Sequence, residues 1–368
     1  MIKRKRKVAK MNITITKTLN QKNKPDWNNL GFGNFFSDHI FLMNYTPEKS
    51  WHDARIVPFA NLELSPAIIT LSYGQSIFEG LKAYRTDNGK IQLFRPTNNI
   101  KRFNSSGERL CIPAIDESLF LQAIKQLVAL ESDWVPSNEG TSLYLRPVAF
   151  GTDERLGVRP SETYLFMILC SPCGAYYAGG MSPIKIYVET KFVRAVKGGI
   201  GEAKTGGNYA ASLKAQTEAS ERGYSQVLWL DGREGKYLEE VGAMNVFFVI
   251  DGVVVTPMLE GSILSGITRL SAIEILRDKG YKVEERRITI EELIYAAKEG
   301  TLTEAFGTGT AAVISPIGEF GYGGDRYIVN NNEIGKVSQA LYDELTGIQY
   351  GKIEDLRGWI EVISDNIQ

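Results

Sequence analysis

The sequence predicts a two-domain α/β protein with mixed sheets, and three observations carry that prediction. The chain has 368 residues, 43% of them hydrophobic, which is enough for two cores of ordinary size. Strand-like runs rich in β-branched and aromatic residues alternate with segments of helical spacing along its length. One stretch, residues 173–183, concentrates glycine and proline between two strand-like runs. The expected organisation is a basic, disordered tail over 1–28, an α/β domain over 29–174, a linker at 175–183 and a larger domain over 184–368.

In the first domain, Asp38 to Tyr45 is apolar and extended, and Gly89-Lys90 turns the chain into a strand at Ile91 to Phe94. Thr97 to Leu110 reads as a helix with Ile100, Phe103 and Leu110 on one side, and Leu119 to Val128 repeats that spacing. Thr141 to Phe150 and Thr163 to Cys170 read as buried strands. In the second domain the strand candidates are Ile184 to Glu189, Gln226 to Leu230, Asn245 to Ile250, Val253 to Val255 and Ala311 to Ile314. Asp251-Gly252 is a hairpin turn. Ile267 to Lys279 and Ile290 to Lys298 are helical, the second opened by the capping box Thr289 to Glu292.

A net charge of −1 argues against nucleic acid as the main partner. No window reaches the length of uninterrupted apolar residues that a membrane helix needs. Three cysteines, Cys111, Cys170 and Cys173, imply no disulfide framework, and the expected location is the cytoplasm. The C-x-x-C spacing of Cys170 and Cys173 follows a strand-like run and lacks a second pair, so it is read as structural rather than as a zinc or redox site.

Lys204 is the residue that points to chemistry. It sits among Gly198, Gly199, Gly201, Gly206 and Gly207, where the backbone is free to turn tightly and to let a ligand approach. Two readings compete. Gly198 to Thr205 is one residue from a phosphate-cradling loop, but Ala203 stands where glycine is required, and Gly206-Gly207-Asn208 is expected to break the helix such a loop needs. The other reading is a Schiff-base lysine, whose neutral amine attacks a carbonyl such as the aldehyde of pyridoxal phosphate.

Such a cofactor needs an anion site, and Ser262 to Gly266 leads into a helix whose first N–H groups are free for one. Gly307 to Ala311 is a second candidate, a turn with amides and hydroxyls. A pyridinium nitrogen also needs a buried acid, and Glu239 or Glu240 enters a hydrophobic strand, with one of the two expected in solvent.

Seven motifs carry a resemblance: Phe78-Glu79-Gly80-Leu81-Lys82, Leu93-Phe94-Arg95-Pro96 with Arg102, Ser142 to Pro147, Leu156-Gly157-Val158, Gly206-Gly207-Asn208-Tyr209, Glu240 to Asn245, and Gly309-Thr310-Ala311. In this order, from about Phe32 to Tyr350, the chain resembles the branched-chain amino acid aminotransferases, which are homodimeric fold-type IV pyridoxal phosphate enzymes. The resemblance implies transfer of the amino group between leucine, isoleucine or valine and 2-oxoglutarate. It makes Lys204 the catalytic amine, with Tyr209 on the cofactor's phenolic oxygen and Glu240 at its ring nitrogen. It places the phosphate on Arg102, Ile267, Thr268 and Thr310. The substrate would lie among Phe32, Tyr73, Phe78, Tyr144 and Tyr176, with Val158 arriving from the partner subunit and the α-carboxylate on Thr310, Ala311, Tyr73 and Arg146. D-Amino acid transaminase, aminodeoxychorismate lyase and a non-catalytic pyridoxal phosphate binder are the alternatives. Three positions depart from the family pattern: Ala243 stands where eukaryotic-type members carry a threonine near the cofactor, and Ala312 and Ser315 stand where mammalian members carry a redox cysteine pair.

Overall fold

The computed structural model describes residues 11–174 and 181–364, and these form two nine-stranded sheets flanked by helices. In the first sheet the strands run in the order Thr14–Ile15, Ser50–Pro58, His39–Thr46, Tyr164–Cys173, Ser142–Gly151, Leu81–Arg85, Ile91–Phe94 and Ile360–Ile363, with Ser76–Phe78 beside Ser142–Gly151. The helices Pro96–Arg109 and Glu117–Leu130 present their apolar sides to this sheet. Phe103, Phe120 and Phe166 meet edge to face, with ring centres 4.7 to 5.4 Å apart. Each such buried ring stabilises the fold by roughly 1.5–3 kcal/mol relative to an exposed one.

The second sheet closes on itself. Leu238–Val241, Gln226–Leu230, Ile184–Glu189, Val313–Tyr322, Leu302–Gly309 and Met244–Ile250 follow one another, and the last pairs back with the first. Val253–Pro257 and Val283–Arg286 extend it, and Asp325–Ile328 adds to Val313–Tyr322. The turn at Asp251-Gly252 has φ of 49° and 76°, the doubly left-handed geometry of a tight hairpin. Thr289 caps the helix Ile290–Lys298 by accepting from the Glu292 N–H at 3.0 Å.

Four expectations change. The basic tail is docked from Met11 onward: Thr14–Ile15 adds a parallel strand, Lys24 pairs with Asp133 at 2.6 Å, and Trp27 packs on Trp134. Lys24 finds acids, the Lys22 ammonium finds the Phe36 and Ser37 carbonyls, and Trp27 finds an apolar neighbour, which composition alone does not reveal. Residues 1–10 and most of the expected linker, 175–180, lie outside the described residues. Gly206-Gly207-Asn208 opens the helix Gly206–Glu221 instead of breaking one. Glycine's entropic cost of about 1 kcal/mol applies to a helix interior, and Gly206 and Gly207 stand at its first two positions. The strand expected from Ala311 begins at Val313, and Thr310 to Ala312 form the turn before it. Finally, Ile360–Ile363 pairs antiparallel with Ile91–Phe94, so the C-terminal strand belongs to the first sheet and not to the 184–368 unit.

Candidate active site

Lys204 and its neighbour Thr205 are held by the strand Ser76–Phe78 of the first sheet and by the helix Pro96–Arg109. The Lys204 N–H donates to Ser106 Oγ at 2.9 Å, its carbonyl accepts from the Phe78 N–H at 3.0 Å, and Thr205 Oγ1 donates to the Ser76 carbonyl at 2.7 Å. Asn208 Nδ2 donates to the carbonyls of Ile200 and Ala203, closing the glycine-rich loop on itself. Gly201 needs to be glycine, since a Cβ there would stand 2.2 Å from the Ser262 carbonyl. With the backbone fixed, Lys204 Nζ donates to Tyr209 Oη at 2.9 Å and lies 5.0 Å from the centre of the Phe78 ring.

Glu239 and Glu240 are both buried, so neither is the solvated acid expected of the pair. Burial pushes the Glu240 carboxyl above the ordinary range, opposed by Arg194 and by the Leu264 N–H, which donates to Oε1 at 2.9 Å. Arg194 Nε stands 3.4 Å from Glu240 Oε2. Burial likewise raises Glu239, to about 7, and Ser262 Oγ donates to it. Glu240 and Arg194 line a small pocket that also contains Lys204 and Tyr209.

That pocket adjoins a cleft of about 320 Å³ between the two sheets, and the two share Lys204, Tyr209, Ala243 and Leu264. At its far end is the N-terminus of the helix Ile267–Asp278, whose cap residue Gly266 offers no side chain and whose first turn contains no acid. Arg102 stands beside it, donating to the Ser265 carbonyl at 2.9 Å and gripping Glu79 through Nε at 2.6 Å and Nη2 at 2.9 Å. Glu79 is fully buried; burial pushes its pKa up, but Arg102 outweighs this and holds the carboxyl below the ordinary range. Thr308 Oγ1, also lining the cleft, is buried without a hydrogen-bond partner. Free helix N–H groups, a guanidinium and an orphaned hydroxyl at one end, with an amine and a buried acid at the other, suit a long ligand carrying an anionic group.

The remaining wall is aromatic. Phe32 and Tyr144 meet at 4.9 Å, Arg146 Nη2 donates to Tyr144 Oη at 3.0 Å, and the Arg146 guanidinium lies over the Phe78 ring at 4.7 Å. Gly80 makes room for this group, since a Cβ there would stand 1.9 Å from Tyr144 Oη. Gly80→Ala is expected to displace Tyr144 and raise KM for the molecule this cleft takes about tenfold, a loss near 1.4 kcal/mol of binding. Steady-state kinetics on the purified variant check this, and an unchanged KM counts against the placement of Tyr144.

The structure therefore brings Phe32, Phe78, Arg102, Tyr144, Arg146, Lys204, Tyr209, Ile267, Thr268, Thr310 and Ala311 around one cleft, with Glu240 behind it. It does not bring Tyr73 or Val158 there: Val158 is 81% exposed, and Tyr73 Oη donates to the Leu156 carbonyl at the surface. Tyr176 lies outside the described residues. Arg194 joins the site without being singled out by the sequence; Thr308 comes from the Gly307 to Ala311 turn read as a candidate anion site, and Glu79 and Asn245 come from two of the seven motifs without an assigned role. A sequence does not show which acid will meet Arg102.

Comparison with known proteins agrees with this geometry. The family model for amino-transferase class IV matches residues 76–320. Branched-chain-amino-acid aminotransferase 2 of Bacillus subtilis (strain 168) is 54% identical over 352 residues, 96% of this chain and 97% of that protein. A probable branched-chain-amino-acid aminotransferase of Staphylococcus epidermidis is 56% identical, covering 94% of this chain and 97% of that one. Among solved structures, the branched-chain aminotransferase of Escherichia coli superposes with a TM-score of 0.75 at 28% identity, over 89% of this chain and 99% of that chain. That of the archaeon Thermoproteus uzoniensis, solved with norvaline, gives 0.74 at 27% identity, over 89% of this chain and 99% of that one. The chain belongs to the class IV aminotransferases, with the fold-type IV architecture.

Proposed function

We propose that this chain is a branched-chain L-amino acid transaminase that moves the amino group between leucine, isoleucine or valine and 2-oxoglutarate, using pyridoxal 5'-phosphate. The carrying observation is the contact of Lys204 Nζ with Tyr209 Oη, set between a buried acid and an anion-binding helix end. Another similar solved branched-chain aminotransferase contains pyridoxamine 5'-phosphate, the amine form of the same cofactor. The cofactor, when bound, supplies a carbonyl that condenses with amines and a ring that spreads the electron pair left at Cα. Lys204 Nζ is the amine that holds the cofactor and carries the substrate's Cα proton. Tyr209 Oη orients that amine and meets the phenolic oxygen, while Glu240, braced by Arg194, keeps a proton at the ring nitrogen.

Arg102, the N–H groups of Ile267 and Thr268, and Thr310 hold the phosphate, with Thr308 Oγ1 free to join them. The Thr310–Ala311 turn receives the α-carboxylate. Phe32, Phe78 and Tyr144 hold the aliphatic side chain, each buried CH₂ contributing about 0.8 kcal/mol. Arg146, already on Tyr144 Oη, takes the second carboxylate when glutamate occupies the same cleft.

The working unit in this reading is a homodimer in the cytoplasm. Exposed Leu71, Tyr73, Leu156 and Val158 offer an apolar surface from which Val158, with Tyr73, would complete a partner's cleft. No helix among the described residues is long and apolar enough to cross a membrane.

Turnover with L-leucine and 2-oxoglutarate, compared with D-alanine and 2-oxoglutarate, tests the assignment. L-Leucine is expected to be used at least about a hundredfold better, by the order of discrimination a shaped pocket gives. Preference for D-alanine would transfer the chain to the D-amino acid branch of the fold.

A further inference from the structure

Lys82 lies on Leu81–Arg85 in the first sheet, 7% exposed. Among the described residues its ammonium makes one hydrogen bond and no ion pair: Nζ donates to the Ala311 carbonyl at 2.9 Å. The bond crosses to the second sheet and ends on the turn Thr310 to Ala312. A buried ammonium without a counter-ion is costly. Burial lowers its pKa from the usual lysine value, with the Cys173 thiol acting in the opposite direction.

The turn is itself unusual. Val313, which closes it, has φ of 60°, a left-handed conformation that a β-branched residue rarely adopts. In a trans peptide the N–H points opposite to the carbonyl, so holding the Ala311 carbonyl on Lys82 turns the Ala312 N–H away from it. Thr310, Ala311 and Ala312 line the cleft, whereas Lys82 does not. The ammonium stands behind the turn, with the peptide groups between it and the ligand space.

Resting on the reading that this turn receives the substrate carboxylate, we propose that Lys82 is a positioning residue that fixes the turn's peptide planes and supplies the positive charge behind them. The carboxylate of an amino or oxo acid then serves as the missing counter-charge without touching the ammonium. Interaction across one layer of buried peptide is stronger than in water, because little solvent screens it.

The test compares a carboxylate with its neutral isostere. Inhibition of the cofactor-loaded enzyme by 4-methylpentanoate and by 4-methylpentanamide, each competing with leucine, gives the acid-over-amide preference. Lys82→Met and Lys82→Gln are expected to lose about tenfold of that preference, and Lys82→Arg to keep it. Glutamine can still donate to Ala311, so it separates the charge from the bond, and it carries the comparison if the methionine variant does not fold. A wild type that binds acid and amide equally would remove the carboxylate reading of the turn. A wild type that prefers the acid, beside neutral variants with the same preference, overturns the role of Lys82 alone.

Discussion

Lys204→Ala is expected to lose covalent attachment of pyridoxal phosphate and to reduce transamination by about four orders of magnitude, the upper end of what one positioned acid–base group supplies. Lys204 is the one lysine lining the cleft among the described residues, and Lys82 is separated from it by the Thr310–Ala312 turn, so no second amine takes its place. The fold should barely notice. The contacts that anchor this position use main-chain N–H and carbonyl groups, on Ser106 and Phe78, and alanine keeps both. Borohydride trapping with mass analysis of the digested protein reads the attachment, and leucine turnover reads the chemistry. Wild-type turnover in this variant, or label on a different lysine, would refute the assignment of the catalytic amine.

Arg102→Met carries the second large effect, and here stability falls as well as cofactor affinity. Glu79 has 0% exposure and takes both Nε and Nη2 of Arg102, with Asn99 Nδ2 at 2.7 Å and the Gly80 N–H at 3.0 Å completing its shell. Removing the guanidinium leaves a buried carboxylate uncompensated, which costs about 3–5 kcal/mol. Adding Glu79→Gln should recover a large part of that loss, which a double-mutant cycle in denaturant measures. The pH dependence follows from the same pair. The folded-state pKa of Glu79 is lowered, so its pairing stabilises the fold above the ordinary carboxylate range and is lost as pH falls through that lowered value. Glu79→Gln should therefore show a flatter acid limb in stability against pH than the wild type. A single Arg102→Met variant as stable as the wild type, or identical acid limbs, would rule this out.

Local pattern accounts for most of the fold. Ile184–Glu189, Gln226–Leu230 and Ile290–Lys298 have the bounds the sequence predicts, because β-branched density, turn residues and a capping threonine all act within a few positions. The helix Gly206–Glu221 escapes such reading, since glycine's average preference conceals its tolerance in a first turn. Lys204 stands out by its glycines, and the motifs supply most of the residues that line the cleft, but not Arg194. Long-range partners are not legible. Nothing near Glu79 announces Arg102, and nothing near Lys82 announces Ala311, because such pairs arise only when distant segments are brought together.

The last strand, Ile360–Ile363, closes the edge of the first sheet against Ile91–Phe94, with Trp359 packed on Phe94 and beside Arg95. On the ribosome this has a temporal meaning. The strand Ile91–Phe94 emerges long before its neighbour exists, so the first sheet must wait with an unpaired edge until Ile360–Ile363 has been made. Completion of the first sheet is thereby tied to a strand made long after the rest of it, and a variant truncated before Ile360 would carry an open sheet edge prone to pair with other chains.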